Sequence, residues 1–302
     1  MGTYRIIIGL VLSLVLGIAA QADPGGDPDL LHEDFDPGLQ GAVEANLDAL
    51  GLRAAAREKR LCLVLLDITH PAHPRLAAVN GDYMMYAASL PKIAILLGAF
   101  VEIEAGRLTL DEEVRASLTR MVRVSSNTDA TYMLNRVGKA RVNEILQSDR
   151  FRLYDPRMNG GLWVGKEYAK ANTYAPDPLH RLSHGATALQ AARFYYLLET
   201  GRLVKPELAK DMKAMLAEPG IHHKFVKGLA SRPGLKIYRK SGTWAAWHAD
   251  SALVEAQGYK YILVGLAHDA AGGDWLVKLA PRMHDLIVPI RIAENRNAPG
   301  AR

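Results

Sequence analysis

The sequence holds one cysteine, Cys62, in 302 residues. One cysteine cannot close an internal disulfide, so stability must come from a packed core. Its neighbours, Leu61-Cys62-Leu63-Val64-Leu65-Leu66, read as a buried strand and argue against a catalytic thiol. Long apolar runs are also missing, except at the N-terminus. There Arg5 precedes the run Ile6 to Ile18, and Ala20-Gln21-Ala22 follows. A basic start, a short apolar run and a small-x-small site are the order of a secretory signal. Residues 1–22 are therefore expected to be a signal peptide, and the protein periplasmic or secreted after its removal. The run is short for a bilayer and gives way to the Pro/Gly-rich stretch Asp23 to Pro28, so no stable membrane span is expected. No dense basic cluster occurs. Lys and Arg exceed Asp and Glu by only 37 to 32, and scattered, which argues against a nucleic-acid partner. No Gly-x-Ser-x-Gly elbow is present, which argues against an α/β-hydrolase. There is no internal repeat and no low-complexity tract.

What is present supports a sizeable core: 49% of residues are hydrophobic and 23% charged. Residues 23–44 read as a flexible lead, rich in Pro and Gly near its start. Apolar periodicity predicts helices over 41–59, 89–105, 129–147, 186–200, 206–216 and 273–289, with another opening at Asp111. Strands are expected over 61–68, 76–79, 237–241, 251–255 and 261–267. Residues 150–182 lack periodicity and read as an extended loop. Strands thus open and close the chain while helices fill the middle. That order predicts an α+β fold: an antiparallel sheet from both chain ends with flanking helices, plus an inserted all-helical lobe. The cleft between them is a natural ligand site.

Three short motifs carry candidate chemistry. Ser89-Leu90-Pro91-Lys92 opens a helix that is apolar all round. Spacing i,i+3 puts Ser89 and Lys92 on one face, where a desolvated lysine can take the serine proton. Ser125-Ser126-Asn127 lies between helices, where an N-cap is the plain alternative. Lys240-Ser241-Gly242-Thr243 ends a strand. Other features carry less. Gly160 to Lys166 fits a phosphate-loop spacing, but Glu167 follows where Ser or Thr is needed. His180 with His184, and His222 with His223, lack a third ligand, so no metal and no cofactor are expected. His248-Ala249-Asp250 is placed at the cleft rim or in a hairpin. Trp163, Trp244 and Trp247 are placed in the cleft wall or the core.

In this order the three motifs resemble the signature of the class A β-lactamases and penicillin-binding proteins. The resemblance runs from about residue 45 to residue 290, and Ser183 to Leu198 looks like the helix after that family's omega loop. It implies a β-lactamase-like catalytic domain over 45–302, acting as a monomer on a small-molecule β-lactam or a peptidoglycan peptide. It implies that Ser89 attacks the amide, Lys92 takes or relays its proton, and Ser125 passes a proton to the leaving nitrogen. Asn127 would hydrogen-bond the substrate's side chain. Lys240, Ser241 and Thr243 would bind the substrate carboxylate. Gly242 would leave room along the strand, and the Ser89 and Thr243 N–H groups would form the oxyanion hole.

Two departures stand out. Ser126 replaces the family's frequent Asp. The family's Glu-x-x-x-Asn element, whose Glu activates the hydrolytic water, is not cleanly present. Glu167 precedes Asn172 by five residues, and Asp155 precedes Asn159 by four. Both are carried as candidate deacylation bases. The expected function is an exported serine hydrolase that opens a β-lactam or similar amide through an acyl-serine. The alternatives are a D-alanyl-D-alanine carboxypeptidase or esterase, and an acylated binding or sensor protein without turnover.

Overall fold

Strand β1 (Leu61–Asp67) is buried at every position, which requires cover on both faces of its sheet. The computed structural model, which describes residue 31, residues 34–169 and residues 173–289, supplies that cover. The expected signal peptide lies outside these residues. Among the described residues β1 sits between β2 (Arg75–Val79) and β10 (Tyr259–His268). Strands β9 (Trp247–Ala256) and β8 (Leu235–Trp244) follow, giving the order β2-β1-β10-β9-β8. Every pairing in this sheet is antiparallel, and Leu61 stands opposite Ala267. The sheet is built from both chain ends, as the sequence predicts.

One face is covered by α1 (Pro37–Ala49) and α10 (Gly272–Ile287), with α2 (Arg53–Arg57) and α9 (Phe225–Leu229) at their sides. Val43, Leu47, Leu63, Phe225, Leu263 and Met283 form that core. Helix α1 starts inside the stretch expected to be a flexible lead. Asp36 caps it by accepting from Leu39 N at 2.9 Å, Pro37 fits the first turn, and Leu39 and Val43 are buried. The Pro-Gly pair that reads as loop is here a helix start.

The other face carries α3 (Lys92–Glu104), α4 (Glu112–Arg123), α5 (Asn127–Val137), α6 (Lys139–Gln147), α7 (Ala188–Glu199) and α8 (Pro206–Leu216). Helix α3 is buried from Lys92 through Glu102, as an all-round apolar helix should be. The helix expected over 129–147 is two helices, because Gly138 between them takes φ 91°, which a side chain disfavours. The expected loop over 150–182 holds short pairings. Strand β4 (Tyr154–Asp155) pairs with β5 (Gly160–Gly161). Strand β7 (His184–Ala186) joins β3 (Met85–Tyr86) to β6 (Trp163–Val164). These strands are too short to show periodicity, yet they bury Leu153, Leu162 and Val164. Among the described residues no helix is long and apolar enough to cross a membrane.

Candidate active site

Ser89 sits in the tight turn that leads into α3. Leu90 N donates to Ala87 O at 3.0 Å and Lys92 N to Ser89 O at 3.3 Å. Ala88, just before it, takes φ 50°, a left-handed conformation costly for a residue with a Cβ. Gly242 on β8 packs directly against this turn. A Cβ there would meet Ala87 O, with Ser89 N at 2.7 Å and Leu90 N at 2.9 Å. Gly242 therefore makes room first for the serine turn itself.

Lys92 is fully buried in the first turn of α3. Its Nζ donates to Ser125 O at 2.6 Å, Asn127 Oδ1 at 2.8 Å and Ser125 Oγ at 3.3 Å. The Tyr168 ring covers it at 4.7 Å. Burial pulls its pKa down to about 7, against a smaller pull upward from Asp129. Ser125 holds a left-handed φ of 59°, and Ser126 caps α5 by accepting from Asp129 N at 3.2 Å. The cap and the motif coexist in one turn.

Lys240, also buried, reaches the same serine from the sheet. Its Nζ donates to Ser125 Oγ at 2.9 Å and to Ser241 O at 2.6 Å. Burial, and then the Lys92 charge, hold its pKa well below the ordinary lysine value. Ser125 Oγ is thus the meeting point of two buried lysines from two lobes. A third lysine, Lys224, has no signal in the sequence. Its Nζ donates to Gly242 O at 2.5 Å, Thr243 Oγ1 at 2.7 Å and Ala249 O at 3.0 Å. Burial lowers its pKa to about 8 while Asp250 opposes the shift. Asp250 is not at a cleft rim. It is buried behind β8, bidentate to Arg239 at 2.7 and 2.8 Å.

A cavity of about 200 Å³ opens beside Ser89, lined among others by Tyr86, Asn127, Glu167, His184 and Thr243. Of the two candidate bases, Glu167 lines this cavity and Asp155 does not. Asp155 pairs with Arg152 and Arg157 and caps the short turn after β4, and the Arg157 hydrogen bonds hold its carboxyl far below the usual range. The Glu167 carboxylate lies 3.7 Å from Lys139 and accepts from Thr173 N and Thr173 Oγ1 at 3.4 and 3.3 Å. Asn172 lies outside the described residues. Trp244 lines the cavity and is exposed. Trp247 stacks on His268 at 3.6 Å, and Trp163 is buried, donating to Ala175 O at 2.9 Å. His180 meets Asn159 O and His223 meets Arg239. Among the described residues no group of three or more His, Cys, Asp or Glu side chains is placed to hold a metal.

The model of the β-lactamase enzyme family matches residues 42–117 and 113–283. Among curated proteins none matches the sequence. Among solved structures, the fold is similar to a β-lactamase from Sphaerobacter thermophilus DSM 20745, with 16% identity and a TM-score of 0.63 over 81% of this chain and 96% of that one. It is also similar to PBP-A, with 17% identity and a TM-score of 0.62 over 83% of this chain and 95% of that one. A PBP-A mutant solved as an acyl-enzyme complex with penicillin G gives 18% identity and a TM-score of 0.62, over 83% and 96%. At these identities the likeness is one of fold.

Proposed function

The chain belongs to the β-lactamase enzyme family, and on that premise we propose that it is an exported serine hydrolase in which Ser89 opens a β-lactam or similar amide through an acyl-enzyme. One observation carries the reading: Ser125 Oγ bridges two buried lysines, Lys92 and Lys240, beside the cavity that Ser89 lines.

The chemistry follows from that bridge. A serine hydroxyl attacks only when a base removes its proton. With its pKa near 7, Lys92 is substantially neutral at physiological pH and can accept that proton. As Ser89 Oγ bonds to the carbonyl carbon, charge develops on the carbonyl oxygen. The N–H groups of Ser89 and Thr243 face it in this reading. The tetrahedral species collapses with cleavage of the C–N bond. Lys92 returns the proton through Ser125 Oγ to the departing nitrogen. Lys240 keeps the Ser125 hydroxyl oriented, and Lys224, through Thr243 Oγ1, adds charge for a substrate carboxylate. Asn127 Oδ1 is then the partner for a side-chain amide of the substrate.

The experiment is pre-steady-state hydrolysis of a chromogenic cephalosporin with mass analysis of the protein. A covalent adduct on Ser89 followed by continued turnover supports the reading. Ser89→Ala is expected to lower turnover by at least ~10⁴-fold. Turnover that survives this substitution sinks the mechanism. A second reading is a penicillin-binding or carboxypeptidase-type protein that is acylated but slowly released. It is favoured by the engagement of Glu167 with Lys139 and Thr173, and shows as a one-equivalent burst that stalls.

A further inference from the structure

Four of the side chains that line the cavity beside Ser89 are rings, and they neighbour one another in a row. Tyr168 stacks on His184 at 4.1 Å, His184 lies 6.3 Å from Tyr86, and Tyr86 meets Trp244 at 5.9 Å with the planes 73° apart. Trp244 ends the row, and it is 62% exposed. Trp247, opposite it in the ladder, stacks on His268 at 3.6 Å. A single apolar side chain on an open surface is ordinary. This one is different, because it lines the same cavity as Ser89, Asn127 and Thr243. It is also held in place. Trp244 is the last residue of β8, and the two-residue turn Ala245-Ala246 joins it to β9. Asp269 N donates to Ala246 O at 2.9 Å and pins that turn. The result is a fixed indole left open to the cavity.

We infer that Trp244 is a specificity-determining residue, whose indole is the platform for a flat, uncharged ring on the acyl side of the substrate amide. The inference rests on the reading of Ser89 as the acylated residue. Strand β8 sets the direction. In that reading the substrate carboxylate lies at Lys240 and Ser241, and the scissile carbonyl at the Thr243 N–H. A molecule lying along the strand then carries its acyl-side group toward Trp244. At about 3.4 Å per residue the path from Ser241 to Trp244 is about 10 Å, within reach of a small amide that bears a ring on its acyl side. A ring set against the indole, face to face or edge to face, gains a contact that an aliphatic chain of similar size does not. The rest of the row suits an uncharged group. His184 is neutral, because burial and then the charges of Lys166 and Lys92 pull its pKa down to about 3, against the opposing charge of Glu167.

The test uses two penicillins that differ only in the side chain. Penicillin G carries phenylacetyl; its partner carries hexanoyl, which is apolar but has no ring. Acylation of the full-length chain by each is read in competition with a chromogenic cephalosporin, and the adduct on Ser89 is confirmed by mass. The parent is expected to prefer the phenylacetyl compound by ~10-fold. Trp244→Ala should bring that ratio to about 1, and Trp244→Phe, which restores a ring, should keep most of it. Trp244 is exposed, so neither change empties the core. A parent with no preference overturns the inference. So does a Trp244→Ala ratio equal to the parent's, the result of a merely structural role, or a Trp244→Phe that behaves like Trp244→Ala. Adducts on Ser89 with an indifferent ratio sink this inference alone. If neither penicillin leaves an adduct on Ser89, the Ser89 reading falls, and this one with it.

Discussion

Two walls face each other across the Ser89 cavity, and they are held by different forces. The first is made of α3, the Ser125 turn and β8. Its functional atoms hang from helical and ladder hydrogen bonds, stiffened by the buried Arg239–Asp250 pair. The second is made of residues 163–169 and β7. It is held by two-residue ladders of β7 with β3 and β6, by Gly165 N donating to Ser183 O at 2.6 Å, and by side chains that bond to backbone in the wall and in the loop beside it. Thr131 Oγ1 accepts from Tyr168 N at 3.2 Å and Ala169 N at 2.9 Å, and the Asp177 carboxylate accepts from Leu179 N, His180 N and Leu182 N. The first wall therefore fixes the attacking machinery by fold. The second has much shorter ladders and adds side-chain anchors such as Thr131, which one substitution can remove.

That contrast can be broken by experiment. The largest effect is expected at Lys92. Lys92→Met should slow acylation by ~10³-fold, read from the burst rate. In the parent, acylation should rise with pH through about 7 and then level, because the accepting lysine must be neutral and burial has lowered its pKa to that region. The variant should lose that limb. A limb that survives in Lys92→Met places the base elsewhere. Next is Asp250→Asn, which leaves the Arg239 charge buried without its partner. It should cost about 3–5 kcal/mol in urea unfolding. A loss under 1 kcal/mol would show that the first wall does not depend on this pair. The smallest effect is expected at the second wall. Thr131→Val strands two backbone N–H groups, and should cost about 1 kcal/mol in stability while slowing release more than acylation. Equal slowing of both steps would erase the distinction between the walls.

Much of the first wall was legible in the sequence. Ser89, Lys92, Ser125 and Lys240 stand in short motifs on regular elements, and an all-apolar helix and a β-rich C-terminal third announce where those elements pack. Gly138 breaks a helix that periodicity reads as continuous over 129–147. The helix expected over 41–59 starts earlier, at Pro37, because Pro37-Gly38 looks like a loop without knowledge of the Asp36 cap, and it ends at Ala49, with Arg53–Arg57 a separate helix. Of the second wall, Glu167 alone among the named catalytic candidates was legible. His184 and Tyr168 are sixteen positions apart and meet only because β6 and β7 pair. Lys224 follows two histidines in no periodic pattern, and its reach to Gly242 and Thr243 exists only in the folded chain. Glu167 and Asp155 looked alike as loop acids; burial against different partners separates them.

The pairing of β1 with β10 also sets the order of assembly. Leu61 cannot find Ala267 until nearly the whole chain has been made. Until then β1, which is buried along its full length, and the apolar helix α3 have no sheet to cover them. Contacts this far apart in sequence slow folding and leave sticky intermediates. The window between synthesis of β1 and arrival of the C-terminal hairpins is therefore when this chain is most prone to aggregate and most in need of a chaperone.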